Sequence, residues 1–214
     1  MTQTFILIMD IIGTIAFSVS GAMIGIRRNM DIFGINMLAL ATAVGGGAVR
    51  DMLLGNVPPV MFQNPVYAFL SIITANTVFT IIYFNRKILS ISHSALYEKL
   101  FFWFDSLGLA AFTVDGVNAG AGAFDEKNIF LMIFMGVITG VGGGVLRDMM
   151  ANQMPYIFVK HIYACASLLG AAATAFLWDT ADHATAMLIG FAVTIIIRVL
   201  AAHYRLDLPK IKHK

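Results

Sequence analysis

Thr42-Ala43-Val44-Gly45-Gly46-Gly47-Ala48-Val49-Arg50-Asp51-Met52, followed by Pro58, returns as Thr139-Gly140-Val141-Gly142-Gly143-Gly144-Val145-Leu146-Arg147-Asp148-Met149, followed by Pro155. Three consecutive glycines inside an apolar run, then Arg-Asp at a fixed distance, do nothing for a lipid-facing helix, because glycine loosens the helix and charge is costly in hydrocarbon. Their return in register makes the chain two copies of one unit, with the motif as its working part.

The sequence around the motif sets the class. Of 214 residues, 59% are hydrophobic and 12% charged, with mean hydropathy +0.82, whereas soluble domains carry roughly a quarter charged residues. Apolar runs of roughly 16 to 22 residues suit helices crossing a hydrocarbon core of about 30 Å. No alternating ten-residue strands are visible, so the class is an all-α, polytopic membrane protein. Met1 to Thr4 has no Lys or Arg, and the run that follows holds Asp10 and no evident cleavage site; it reads as a retained first span, not a signal peptide. The single cysteine, Cys165, excludes an intramolecular disulfide and reads as a small buried hydrophobe. The net charge of +2 is spread over loops and tail and gives nucleic-acid binding no support.

Seven spans are predicted: Phe5 to Ile26, Ile32 into Gly45 to Gly47, Val66 to Phe84, Leu100 to Ala121, Ile129 into Gly142 to Gly144, His161 to Trp178, and Ala184 to Ala202. Asn56-Val57-Pro58-Pro59 and Pro155 mark turns, and the polar stretch from Arg86 to Lys99 joins the halves. Asp10, Gly13, Ala16, Phe17, Gly21 and Gly25 match Asp105, Gly108, Ala111, Phe112, Gly116 and Gly120 at one offset. The seventh span has no counterpart. The expected division is a three-helix repeat over 1–88, a second over 89–180, and a seventh helix with a basic tail over 181–214.

With the N-terminus outside, the cytoplasmic set holds Arg27, Arg28, Arg86, Lys87, Lys99, Arg147, Lys160, Arg198, Arg205, Lys210, Lys212 and Lys214, against Arg50 and Lys127 outside: 12 against 2. The C-terminus is then cytoplasmic. Three helices per unit force the second copy to be inverted, which places the functional elements around the membrane midplane.

Glycines about 20 Å along each helix should kink or unwind it, and the freed carbonyls can replace part of a cation's hydration shell if they face water. A single triplet is more simply a device for close helix packing. Two inverted copies, each followed by Arg-Asp, favour a pathway. Arg50 and Arg147 can cap the last carbonyls of their helices, or stand as fixed charges that gate the passage. Adjacent helical residues do not face each other, so Arg50 and Asp51 are not expected to pair. Topology instead suggests two pseudo-symmetric pairs, Asp10 with Arg50 and Asp105 with Arg147. Asp115 lies deep in the fourth span where the first copy has Ser20. It must meet water, a cation or a donor, or be protonated, with Thr113 and Asn118 nearby. His161 and His183 fall near helix ends, and no cluster has metal-ligand spacing.

VGGGAVRDMLLG and VGGGVLRDMMAN, set in three plus three plus one helices, resemble the prokaryotic members of the trimeric intracellular cation (TRIC) channel family, a sequence family also described as a glycine-transporter domain. The resemblance covers nearly the whole chain. It implies a homotrimer in a bacterial-type inner (plasma) membrane, with one pore per protomer lined by the first, second, fourth and fifth spans. It also implies conduction of K⁺ and to some extent Na⁺, with K⁺ passing near the glycine carbonyls and no cofactor. Carried over, the kink residues are Gly45 to Gly47 and Gly142 to Gly144, and the motif charges Arg50, Asp51, Arg147 and Asp148. Animal members carry Lys-Glu-Val in place of the second Arg-Asp; this chain does not, so their lipid and calcium regulation is not transferred.

The alternative is a secondary transporter for a small amino acid such as glycine, because broken helices in inverted repeats also serve alternating access. Arg50 or Arg147 could then take the substrate carboxylate and Asp115 its ammonium. An enzyme has little support, since no nucleophile, base and orienter set is present. Membrane lipid contact through Lys210, Lys212 and Lys214 is possible on charge alone; a solvated tail is the plainer reading.

Overall fold

The computed structural model of the chain describes residues 2–84, 95–123, 126–159 and 162–206. Among these the chain is all α: α1 (Thr2–Arg27), α2 (Ile32–Leu53), α3 (Val60–Gln63), α4 (Val66–Phe84), α5 (Ala95–Ala121), α6 (Ile129–Met150), α7 (Tyr156–Val159), α8 (Tyr163–Leu177) and α9 (His183–His203). Six of them are long and apolar enough to cross a membrane, and α8 is a shorter apolar helix. The seven expected spans are thus α1, α2, α4, α5, α6, α8 and α9. The linker charges Arg86 and Lys87, with Asp125, Lys160, His161 and the tail lysines Lys210, Lys212 and Lys214, lie outside the described residues.

The halves begin and end their motif helices alike. Asp31 caps α2 by accepting from the Gly34 amide at 2.7 Å, and Asn128 caps α6 through the Leu131 amide at 3.0 Å, each satisfying a donor the first turn leaves free. At the other end the chain turns through Gly55 (φ 77°) and Asn152 (φ 51°), in the left-handed region that closes helices. The next amides return to the motif aspartates' carbonyls, Asn56 to Asp51 at 2.8 Å and Gln153 to Asp148 at 3.0 Å. A short helix follows each turn before the third span, α3 in the first half and α7 in the second. These two short helices were not foreseen from the sequence.

Four helices, α1, α2, α5 and α6, form the centre, and their contacts are reciprocal. A side chain at Gly13 would meet the Phe112 ring, and one at Gly108 the Phe17 ring; the two rings touch, with centroids 5.3 Å apart. Where α2 crosses α6, a Cβ at Gly46 would strike the Thr139 carbonyl oxygen, and one at Gly143 the Thr42 carbonyl oxygen. Residue 46 meets 139 while 143 meets 42, so the helices cross antiparallel about a pseudo-twofold axis. Small residues let backbones approach where lipid supplies no hydrophobic drive. The C-terminal ends of α2 and α6, carrying Arg50 and Arg147, therefore point to opposite sides of the crossing.

Both triplets lie inside unbroken α-helix, so the expected unwinding does not occur. The helices keep their own hydrogen bonds, and the glycines supply close approach instead. The α9 helix packs on α8 through Gly170 against Thr194 and Gly190 against Thr174, covering one flank. The α4 helix turns Phe69, Ile73 and Ile81 outward and packs inward through Ser71 and Ala75.

Candidate functional site

Two clusters flank the crossing. On the first-motif side the Arg50 guanidinium donates through Nε to Asp51 Oδ1 at 3.0 Å and through Nη1 to Asp115 of α5. Asp51 Oδ2 accepts from the Val60 amide at 3.0 Å, fixing the start of α3. The Tyr67 hydroxyl of α4 donates to Asp10 Oδ2 at 3.0 Å. These groups line a cavity of ≈ 60 Å³ with Thr14, Gly47 and Phe112, polar enough and roomy enough for a few waters. Arg50 keeps 11% of its side chain exposed.

The second-motif side repeats the plan with different endings. Arg147 donates through Nε to Asp148 Oδ1 at 2.9 Å, and through Nη1 to Asp105 Oδ1 at 2.6 Å and Ser20 Oγ at 3.0 Å. Asp148 Oδ2 accepts from the Tyr156 amide at 2.9 Å, fixing α7 as Asp51 fixes α3. The Tyr163 hydroxyl lies 3.4 Å from Asp105 Oδ1, matching Tyr67 on Asp10. Here the side chains of Arg147 and Asp105 are 0% exposed, and the Phe101 ring lies 4.9 Å from the guanidinium carbon. This end is sealed.

The predicted pairs divide. Asp105 with Arg147 is formed. Asp10 with Arg50 is not: the guanidinium goes to Asp115, and Asp10 to Tyr67. The Ser20-for-Asp115 difference explains both outcomes. Each arginine reaches the position on the opposite half's first helix where one copy has a carboxylate and the other a hydroxyl; charge-assisted bonds are the stronger. Arg50 therefore commits to Asp115, whereas Arg147 meets only Ser20 there and leans on its own half's Asp105. The expectation that Arg50 and Asp51 do not pair also fails, for both motifs. At the last turn of the helix the arginine side chain is long enough to fold its Nε back onto the next residue, whose carboxylate is held by the following short helix.

Arg198, expected near the end of the last span, lies there within α9 and is buried. Its Nε donates to Ser106 Oγ at 3.2 Å and its Nη2 lies 3.7 Å from Asp105 Oδ2, with the Phe102 and Tyr163 rings at 4.8 and 4.7 Å. Nothing in the repeat pattern pointed to it, because α9 is the unrepeated helix. Thr113 turns away from the first cluster and shares a hydrogen bond with Ser167 at 2.7 Å. His183 stacks on Trp178 with centroids 4.3 Å apart. Among the described residues no group of three His, Cys, Asp or Glu side chains is set to hold a metal ion.

The electrostatics of the two ends differ. Asp51 and Asp115 hold the Arg50 guanidinium, and Asp10, on the Tyr67 hydroxyl, faces the same small cavity. Asp105 and Asp148 face Arg147 and Arg198, a balanced set with no exposure to speak of.

Comparison with known proteins gives one answer. The family model described as Glycine transporter matches twice, over residues 7–83 and 102–179. The UPF0126 inner membrane protein YadS of Escherichia coli K12 is 35% identical over 203 residues, covering 94% of this chain and 93% of its own. The TRIC trimeric intracellular cation channel orthologue from Rhodobacter sphaeroides is similar with TM-score 0.83 and 32% identity, over 95% of this chain and 100% of that one. A prokaryotic TRIC channel in 0.5 M KCl gives TM-score 0.85 and 29% identity, over 96% and 100%. The two solved structures are of channels and not of enzymes. A family model that matches both halves, and relatives above 30% identity along nearly the whole length, show that this membrane protein belongs to the TRIC family, whose family model is described as Glycine transporter.

Proposed function

We propose that the chain is a passive channel for monovalent cations, K⁺ in preference with Na⁺ also permeant, in which each protomer of a homotrimer has its own pathway lined by α1, α2, α5 and α6. The half-units 1–88 and 89–180, the N-terminus outside and the C-terminus in the cytoplasm of a bacterial-type inner membrane belong to the same reading. The likeness to TRIC cation channels supports it. The observation that carries it is the pair of arginine clusters on opposite sides of the α2–α6 crossing, one beside a water-sized cavity and one shut.

A cation enters the first cavity, where Asp10, Asp51 and Asp115 outweigh Arg50 and their oxygens stand in for lost water. Gly47 lines that cavity without a side chain, beside Ala43 and Val44. Beyond the crossing Arg147 bars the exit. Opening requires it to leave Asp105, Asp148 and Ser20, a concerted loss of charge-assisted bonds that a dry site makes costly. The glycine-carrier alternative fits less well, since Arg50 and Asp115 neutralise each other and neither is left for a substrate's carboxylate and ammonium.

The test is K⁺ efflux from proteoliposomes. Arg147→Ala should raise the flux by about tenfold or more if the guanidinium is the bar, with no competition by glycine. Flux unchanged by Arg147→Ala, or saturating with glycine, would remove the support.

A further inference from the structure

The unrepeated helix brings one charge to the sealed end and holds it still. Small residues lock α9 to α8 at two points, Gly170 against Thr194 and Gly190 against Thr174, and Arg198 stands about one turn beyond Thr194. Ser106 Oγ accepts from its Nε at 3.2 Å, and the Phe102 and Tyr163 ring centroids lie 4.8 and 4.7 Å from its guanidinium carbon. The side chain is 3% exposed. Its guanidinium is thus fixed on both faces and at Nε, in a dry site.

What it faces is the free side of Asp105. Oδ1 of that carboxylate takes Arg147 Nη1 at 2.6 Å and has the Tyr163 hydroxyl at 3.4 Å. Oδ2 is buried and accepts no hydrogen bond among the described residues. Arg198 Nη2 stands 3.7 Å from Oδ2, about 1 Å beyond the length of a charge-assisted bond. Withdrawing one partner of a buried pair strands the other charge, and that penalty is what keeps such a pair shut. At Asp105 a second guanidinium is already waiting, so when Arg147 leaves, the ion pair is exchanged and not lost. The first half has no equivalent of α9, and there Asp10, at the position of Asp105, has the Tyr67 hydroxyl and a cavity instead of a second arginine.

We propose that Arg198 is a positioning residue for opening: it takes over Asp105 as Arg147 withdraws, and so sets how often the sealed end opens without touching what passes. The proposal rests on Arg147 being the bar. Single-channel recording in planar bilayers separates the two quantities. Arg198→Met should lower open probability about tenfold or more and leave unitary conductance unchanged. Arg198→Gln, which places an amide nitrogen where Nε was and so keeps the Ser106 bond without the charge, should do the same. Arg198→Lys keeps the charge and should retain the greater part of opening. In an Asp105→Asn background no carboxylate is left to strand, and adding Arg198→Met should lower open probability no further. The proposal is overturned if the neutral variants open as often as the unmodified protein, if Arg198→Lys is as impaired as Arg198→Gln, or if Arg198→Met costs as much opening with Asp105→Asn as without it. Flux that Arg147→Ala leaves unchanged would remove the bar itself and this role with it; flux raised by Arg147→Ala while Arg198→Gln changes nothing would remove this role alone.

Discussion

Within one glycine triplet two neighbours should respond oppositely to the same methyl group. At Gly46 a Cβ would sit about 1 Å closer to the Thr139 carbonyl oxygen than a C–H···O contact allows. The same holds for Gly143 against Thr42, where the Phe17 ring stands 3.0 Å away as well. The obstacle is backbone, so α2 and α6 must separate, and overpacking of this kind costs about 1–3 kcal/mol. At Gly47 the nearest atom is Arg50 Nη2 at 3.7 Å, an ordinary contact, and alanine gains up to about 1 kcal/mol of helix propensity over glycine. For a chain of this length each kcal/mol moves the midpoint roughly 2–4 °C. Thermal denaturation of the detergent-purified protein, followed by tryptophan fluorescence, should thus place Gly46→Ala and Gly143→Ala about 5–10 °C below Gly47→Ala. Equal midpoints for Gly46→Ala and Gly47→Ala would refute the reasoning, because glycines freed for hydration, and not packed, would then be what the triplet provides.

Three further outcomes are expected. Asp105→Asn leaves Arg147 and Arg198 buried without their shared carboxylate and should destabilise by about 3–5 kcal/mol; adding Arg147→Met should recover part of the loss in chemical denaturation. Asp148→Ala removes both the acceptor of the Tyr156 amide, a capping loss of about 1–2 kcal/mol, and a carboxylate of the buried Arg147, a further loss of about 3–5 kcal/mol; hydrogen exchange should register it as faster exchange in α7 and the last turn of α6. Asp115→Ser gives Arg50 the hydroxyl that Arg147 has in Ser20; unitary K⁺ conductance should fall at low ionic strength and approach the unmodified value in molar salt, where the Debye length shrinks to about 3 Å.

The spans and their doubling were legible because hydrophobic length and a repeated motif are properties of the sequence alone. Legibility stopped where side chains choose partners across the pseudo-twofold axis. The correspondence of Ser20 with Asp115 was visible, yet it takes the crossing geometry to show that these are the positions the opposite half's arginines reach. The start of α5 was placed at Leu100, since Tyr97-Glu98-Lys99 reads as a polar linker; Glu98 is in fact held by Arg27 and Tyr97 by the Met23 carbonyl, which extends the helix back to Ala95. The short helices α3 and α7 carry little periodic signal, and only Asp51 and Asp148, bound to their first amides, reveal why they begin where they do. The place of Arg198 in the last span was legible, but its partners Ser106 and Asp105 were not, because a repeat cannot inform on the helix that lies outside it.

Current through the purified protein in a planar bilayer under a KCl gradient, recorded with and without glycine on one side, is the experiment to do before any other. Unitary steps that reverse near the K⁺ equilibrium potential and ignore glycine are expected. An electrically silent bilayer, together with saturable glycine uptake into liposomes of the same preparation, would contradict the channel and make the two arginine clusters the gates of a carrier.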